Sequence, residues 1–573
     1  MSAKKIAVLA KPIKYSISVP GSKSLMNRAL ICAALASGQT KLTNPNYCED
    51  TVYLIKALQS LGVTIKQHAD YLLVKGIAGK FKKPSRALFL GNAGTATRFL
   101  TPLVPVGTSI TGDKHMQQRP LDDLLKALYQ LGFDFESKTG CPPVKIISRE
   151  QTSETIDIPG KISSQYLSAI LMMAPTLKKP LTINVRGTLV SKPYVEMTIA
   201  VMKQFGVSIR HEDFKKFFIK PQVYQFTKYE VPADASSATY WWTLAAITGS
   251  SITVDNLHDN KQADFGYLQI LKKMGCQVKG TTVTGSEELW AVSQNMKDMP
   301  DAVMSLAMVA ACATGVTEIK NISHLKAKET NRLKLLISNL RKVGIRASTN
   351  GTNLKITGDV GKINGKRITT EDDHRFAMAF AILGLRFSNM SIDKSECVKK
   401  SYPAFWQDIQ KCQQASKKQT ILLTGMRGSG KSTIGKNWAK KYGASFIDLD
   451  EEIEKEISMS ISQYVKNYGW KKFRNVEIKI TKRFIDIENA VIATGGGTLM
   501  NQHNYVNLKH YYIVLMYAPV SELRRRVQND KKTSKSRPAL LSDTQDELGD
   551  IWKKRKYKYY QVADKIYDSR NPR

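Results

Sequence analysis

The sequence predicts an α/β protein in two parts: a long N-terminal region made of a repeated strand–helix unit, then a shorter domain of parallel βαβ type. Three observations predict it. A helix stop followed by a strand recurs five times at near-constant spacing. A phosphate-loop motif stands between a strand-like and a helix-like run in the C-terminal third. The 573 residues are 42% hydrophobic, enough for several cores and too much for global disorder.

The repeat comes first along the chain. The phrases KALQSLGVTIKQ, KALYQLGFDFES, AVMKQFGVSIRH, QILKKMGCQVKG and SNLRKVGIRAST each join an amphipathic run to an alternating one through a glycine. These are Gly62, Gly132, Gly206, Gly275 and Gly344, spaced 70, 74, 69 and 69 residues apart. Glycine just past a helix adopts the left-handed conformation that closes the last turn, and a strand then leaves. The period is too long for a solenoid, so each unit is a small sheet-and-helix layer. A sixth, degenerate unit is expected to end near Cys412. The polar stretch QKCQQASKKQ sets a linker at 413–418, between a region of residues 1–412 and a domain of residues 419–573.

Composition narrows the function classes. The longest nearly apolar run, Val303–Val316, falls short of the ~18–20 residues that cross a bilayer. The opening MSAKKIAVLAKPIK lacks the apolar core of a secretory signal, which predicts a cytoplasmic protein. Seven dispersed cysteines without a CxxC pair and eight histidines without an HxxxH cluster predict reduced thiols and no zinc site. Subtracting 49 acidic from 86 basic residues leaves +37. That excess fits nucleic acid, a membrane surface or small anions equally, and a lysine-rich composition bias as well, so the motifs decide.

In the C-terminal domain, GMRGSGKST at 425–433 follows QTILLT and precedes IGKNWAKKYG. This is the GxxxxGK[ST] loop in its strand–loop–helix context, where glycines let backbone N–H groups face phosphate oxygens. Gly428, Ser429, Gly430, Lys431, Ser432 and Thr433 form the predicted site for ATP or GTP, with Lys431 on the β/γ phosphates and Ser432 on magnesium. Asp448 and Asp450 in FIDLDEEIE are read as two-apart residues on one strand face. Arg474 and Glu477 share a helix face, and Gly495–Gly497 present bare backbone after an apolar strand. Arg537 lies in a basic segment suited to covering a nucleotide, and RKYKYY supplies Arg555 and Tyr559. Together and in this order these motifs resemble shikimate kinase over residues 419–573. The resemblance implies that Asp450, Arg474, Gly496 and Arg555 bind shikimate, that Asp448 serves magnesium with Ser432, and that Arg537 belongs to a lid over ATP. The family pattern runs on into a terminal helix after the point where SRNPR stands, and the resemblance assigns no adenine-side residue here.

Upstream, short polar motifs carry lysines and arginines at segment ends: VPGSKSLMNRAL, LFLGNAGTATRFL, MQQRPLDDL, ISSQYLSAIL, SKPYVEM, MPDAVMSLAM, KAKETNRLK, EDDHRFAMAF and VKKSYPAFW. Several are helix starts, which suit anions. As an ordered set they resemble EPSP synthase over about residues 5–412, a two-lobed fold of six βαββαβ units. The resemblance implies one lobe of residues 1–20 plus 232–412 and another of 21–231, with the active site between them. It implies that Lys23, Gly94, Arg119, Gln165, Arg332, Arg375 and Lys400 bind phosphoenolpyruvate. Lys23, Ser24, Arg28, Ser163, Ser164, Gln165, Ser191, Asp301, His324 and Lys328 are implied for shikimate 3-phosphate. His324 stands where the family commonly has Asn. In the implied chemistry the 5-hydroxyl attacks C2 as C3 is protonated, and the tetrahedral intermediate expels phosphate. Asp301 is assigned to the hydroxyl, and Glu329 with Lys23 to the proton at C3.

The expected protein is therefore a bifunctional enzyme using Mg2+ and ATP in the kinase half and no cofactor in the transferase half. Its partners are small molecules, with neither nucleic acid nor membrane. Its domain order matches part of the larger AROM polypeptide. The rivals are a UDP-N-acetylglucosamine enolpyruvyl transferase, a gluconate or nucleotide kinase fusion, and a nucleic-acid-binding P-loop NTPase. The first family typically carries a reactive loop Cys, where this chain has Gln117–Gln118–Arg119–Pro120. The second has no need of Arg474 and Arg555, and RNA, helix-turn-helix and helicase motifs are missing for the third.

Overall fold

A computed structural model describes residues 3–10, 12–160, 163–258, 262–417, 420–529 and 546–570. The chain divides into two compact units, residues 1–415 and 416–573.

The first unit holds two hydrophobic cores. One gathers residues from 6–19 and 233–412, the other residues from 25–231. The chain passes between them where Gly21 bridges Ala233, with Ser22 N–H donating to the Pro232 carbonyl at 2.7 Å and Asp234 N–H to Pro20 at 2.9 Å. Each lobe carries three small sheets. In five of the six, one parallel pair is followed by two antiparallel ones. Thr155–Pro159, for instance, pairs in parallel with Leu181–Arg186, which pairs antiparallel with Lys216–Ile219 and that with Arg210–Glu212. The sixth sheet departs from the pattern. Arg367–Ile368 lies parallel to Ser391–Ile392, and the N-terminal strand Lys4–Lys5 closes the other edge.

All five repeat glycines have the left-handed φ that the helix stop demands, between +78° at Gly206 and +107° at Gly275. Two are fixed by close approach as well: a Cβ would stand 2.4 Å from the Glu150 carbonyl at Gly132 and 2.3 Å from that of Lys362 at Gly344. The helices ahead of them bury one face; in Asp122–Leu131 it is Leu124, Leu125, Ala127, Leu128 and Leu131. The central helices Ala235–Thr248 and Val303–Ala311 are buried on every side. The apolar run Val303–Val316 is thus a core helix running into the strand Gly315–Lys320. Among the described residues no helix is long and apolar enough to cross a membrane.

The expected linker at 413–418 is not a loop at its start: residues 413–417 complete the helix Phe405–Lys417. Its apolar positions, Phe405, Ile409 and Cys412, fall every three to four residues, and the tail beyond them is simply the polar end of an amphipathic helix.

The second unit is a five-stranded sheet in the order Ser445–Asp448, Ala490–Ala493, Ile421–Thr424, Tyr512–Tyr517, Lys565–Asp568, with every pair parallel. Apolar clusters cover it on both sides, as parallel strands require.

Candidate active sites

In the first unit one cleft lies between the lobes. Lys23, Ser24, Arg28, Gly94, Arg119, Ser163, Ser164, Gln165 and Ser191 line it from the 21–231 lobe, and Asp301, His324, Lys328, Glu329, Arg332 and Arg375 from the other. Local structure explains their placement. Lys23 and Ser24 open the helix Lys23–Leu35, Ser164 opens Ser164–Met173, Ser191 caps Lys192–Gln204, Arg332 opens Arg332–Lys342, and His374 and Arg375 open His374–Gly384. Positive helix ends therefore stand at the cleft together with the side-chain cations.

Asp301 sits between two guanidiniums, its Oδ1 3.1 Å from Arg332 Nη1 and its Oδ2 2.6 Å from Arg375 Nη2. The Tyr194 hydroxyl donates to the same carboxylate at 3.4 Å. Arg332, 1% exposed, also meets Glu329 and Asp373 at 2.6 Å each. Burial pushes the Asp301 carboxyl upward, but Arg375, Arg332 and Lys328 outweigh it and hold the group ionised well below the usual carboxylate range. Glu329 is likewise held low against burial, by Arg332, Arg119 and Lys400. Lys23 is raised despite burial because Asp50 lies 3.0 Å from its Nζ. Burial, reinforced by Lys328, lowers His324 to about 4, so the ring is neutral. Burial, reinforced by Lys23 and Arg375, likewise keeps His374 neutral.

Around Gly94 stand Arg119 and Gln165, two of the residues expected to bind phosphoenolpyruvate, together with Arg98. Arg98 Nη1 donates to its carbonyl at 3.0 Å, Arg119 Nη1 donates to Asn92 Oδ1 at 3.0 Å, and Gln165 Nε2 to Thr95 Oγ1 at 3.3 Å. A Cβ on Gly94 would stand 2.5 Å from Arg98 Nη1 and 2.6 Å from Arg119 Nη1. Lys400 is not a lining residue but joins the network through Asp50 at 2.8 Å and the Asn92 carbonyl at 2.5 Å. Sequence reading overlooked Asp50 and Asp373, which sit in no phosphate or glycine motif and draw notice only through their partners.

In the second unit the phosphate loop leaves the central strand, with left-handed glycines at 425, 428 and 430 (φ +141°, +79° and +84°). Lys431 Nζ donates to the carbonyls of Gly425 and Met426 at 3.0 Å each. Ser432 Oγ donates to Asp448 Oδ2 at 2.6 Å, pairing the two groups read for magnesium. The reading of Asp448 and Asp450 as one strand face needs correction. Asp448 ends the strand and caps the helix Leu449–Ile457 by accepting the Asp450 N–H at 3.1 Å, so Asp450 belongs to the first helical turn. Cap geometry replaces strand alternation there.

Asp450, Arg474, Gly496 and Arg555 line one pocket with Trp470, Phe473 and Glu477. Arg474 pairs with the buried Glu477 at 2.6 Å, and Arg555 Nη1 donates to the Gly496 carbonyl at 3.1 Å. A Cβ on Gly497 would stand 2.9 Å from Arg474 and 3.4 Å from Arg555, and one on Gly495 2.7 Å from Asp450. Two guanidiniums and a carboxylate thus face one bare turn, a match for a small hydroxylated carboxylic acid. Arg537 lies outside the described residues.

A family model described as EPSP synthase (3-phosphoshikimate 1-carboxyvinyltransferase) matches residues 9–409, and one described as shikimate kinase matches residues 427–573. The pentafunctional AROM polypeptides of Yarrowia lipolytica and Schizosaccharomyces pombe are each 34% identical over 96% of the chain, which spans only 38% and 39% of their own lengths. Among solved structures, EPSP synthase from Acinetobacter baumannii is 26% identical with a TM-score of 0.60, covering 71% of this chain and 97% of its own. The enolpyruvyl transferase NikO from Streptomyces tendae, 17% identical with a TM-score of 0.57 over the same 71%, shares the fold.

Proposed function

Because the chain belongs to the EPSP synthase family through residues 9–409, with a shikimate kinase match after it, we propose that it catalyses two consecutive transfers. The 416–573 unit phosphorylates the 3-hydroxyl of shikimate with ATP. The 1–415 unit joins the resulting shikimate 3-phosphate to phosphoenolpyruvate, giving 5-enolpyruvylshikimate 3-phosphate and phosphate. The observation that carries the reading is the grouping in one cleft of the cations and acids implied for the transfer, in a chain whose other unit carries a phosphate loop.

The transferase geometry suggests how its base is switched on. Asp301 is a weak base while Arg332 and Arg375 hold it. The same guanidiniums are those implied for phosphoenolpyruvate. An incoming anion that shares them loosens their hold on Asp301 and raises its basicity as the 5-hydroxyl arrives. Glu329 is ionised in the free cleft, so Lys23 is the group that carries a proton toward C3.

In the kinase unit Lys431 and the loop N–H groups take the ATP phosphates, Arg474 and Arg555 take the shikimate carboxylate, and Asp450 accepts from a ring hydroxyl. Magnesium fits the oxygen pair Ser432 and Asp448, and bound there it supplies charge neutralisation at the phosphates. We place the protein in the cytoplasm, acting on small molecules without nucleic acid or membrane.

Mass spectrometry of a mixture of shikimate, ATP, Mg2+ and phosphoenolpyruvate tests the proposal. The enolpyruvyl product is expected, with ATP needed from shikimate but not from shikimate 3-phosphate. No turnover of either substrate would overturn it.

A further inference from the structure

One buried carboxylate in the cleft has no part in the chemistry above. Asp50 stands in the first turn of the helix Glu49–Ser60, where the positive helix end favours a charge, and is 3% exposed. Its two oxygens hold two lysines: Oδ2 lies 3.0 Å from Lys23 Nζ of its own lobe, and Oδ1 2.8 Å from Lys400 Nζ of the other. The turn ahead of it makes a second link across the same boundary. Asn46 Nδ2 donates to Gly21 O at 2.8 Å and to Ser401 O, next to Lys400, at 3.0 Å. Lys400 goes on to the Asn92 carbonyl, whose side chain accepts from Arg119.

We propose that Asp50 is a positioning residue that sets Lys23 and Lys400 against each other across the lobe boundary, so that the phosphoenolpyruvate end of the cleft is assembled before the ligand arrives. This rests on the transferase reading above. Simple electrostatics makes the opposite forecast. A carboxylate beside an anion site repels the anion, so its removal strengthens phosphoenolpyruvate binding. Positioning makes its removal harmful, because two ammonium groups that share one carboxylate, and lie near Arg375, lose the charge between them. One then deprotonates or swings away. The charged and titratable groups around this point are Lys23, Lys400, Glu49, Cys48, Glu329 and Arg375.

The test compares the full-length protein with Asp50→Asn and Asp50→Glu, assaying phosphate release from shikimate 3-phosphate and phosphoenolpyruvate at pH 6–10. Asp50→Asn is expected to lower kcat about 100-fold, the cost of misplacing a reacting group by an ångström, with KM for shikimate 3-phosphate moved less than about threefold. Its rate is expected to fall off toward the basic end of that range, where the parent's, with Lys23 held above its ordinary value, does not, and Asp50→Glu to keep the parent's limb. A kcat within about threefold of the parent with an unmoved limb, or tighter phosphoenolpyruvate binding at full kcat, would overturn the proposal. If the parent protein itself shows no transfer, the transferase reading fails, and amine acylation of Lys23 and Lys400, followed by peptide mass spectrometry, decides the inference alone. Faster acylation in Asp50→Asn supports it and equal rates overturn it. Should Asp50→Asn not fold, Asp50→Glu is decisive by itself: an unmoved limb with lowered kcat supports positioning, and unchanged kcat overturns it.

Discussion

The two units hold their cations in different ways. In the 1–415 unit several site cations are matched to carboxylates, Lys23 and Lys400 to Asp50, Arg332 to Asp301, Glu329 and Asp373, Arg375 to Asp301, while Arg28 and Arg119 donate to hydroxyl, carbonyl and amide oxygens. In the 416–573 unit two rest on backbone carbonyls, Lys431 on Gly425 and Met426 and Arg555 on Gly496. Arg474 has a buried acid, Glu477. The contrast follows from ligand size and chemistry. A cleft that must engulf two highly charged molecules needs its cations fixed and neutralised in advance. A phosphate loop relies on glycine backbone, and carbonyl contacts release a lysine to its ligand at small cost.

The largest expected effect breaks this symmetry from the transferase side. Asp301→Asn removes both the base and the shared partner of Arg332 and Arg375. Transfer is expected to fall by about 10²–10⁴-fold, with ATP-dependent formation of shikimate 3-phosphate unchanged; both are read in one mass-spectrometric time course. Lys431→Ala does the reverse. Phosphorylation is expected to drop about 10²–10³-fold while supplied shikimate 3-phosphate is consumed at the parent rate.

A smaller effect is expected at Gly94, where a Cβ meets Arg98 and Arg119. Gly94→Ala should raise KM for phosphoenolpyruvate about tenfold, and steady-state kinetics with shikimate 3-phosphate saturating reports it. The smallest effect concerns acid stability. His324 is held near 4 in the folded cleft, below its ordinary value of about 6.5, so the unfolded chain binds more protons between those values. Stability therefore falls as pH drops from about 6.5 toward 4. His324→Asn should lessen that fall, leaving a melting temperature at pH 5 about 1–3 °C closer to its neutral value than in the parent.

What the sequence reveals depends on how local the cause is. The five glycine stops and the phosphate loop are local, and each appears in the fold as a left-handed residue at the end of a helix or in a turn. Asp448 and Asp450 mislead because the chain changes from strand to helix between them, a boundary that alternation does not register. The sixth sheet was unreadable: its outer strand comes from Lys4–Lys5, far from Ser391–Ile392 in sequence. Asp50 was hidden for the same reason. Its partners are 27 residues before it and 350 after it, and no spacing rule connects them. Arg332 and Arg375 could be picked out as cations, but the acids that restrain them emerge only from packing.

Complementation between two disabled chains tests most directly whether one polypeptide carries two independent sites. Asp301→Asn alone should accumulate shikimate 3-phosphate from shikimate, and Lys431→Ala alone should form nothing from it. Mixed in equal amounts with ATP, Mg2+ and phosphoenolpyruvate, they should together yield the enolpyruvyl product. A Lys431→Ala chain that folds but cannot use supplied shikimate 3-phosphate would contradict the account.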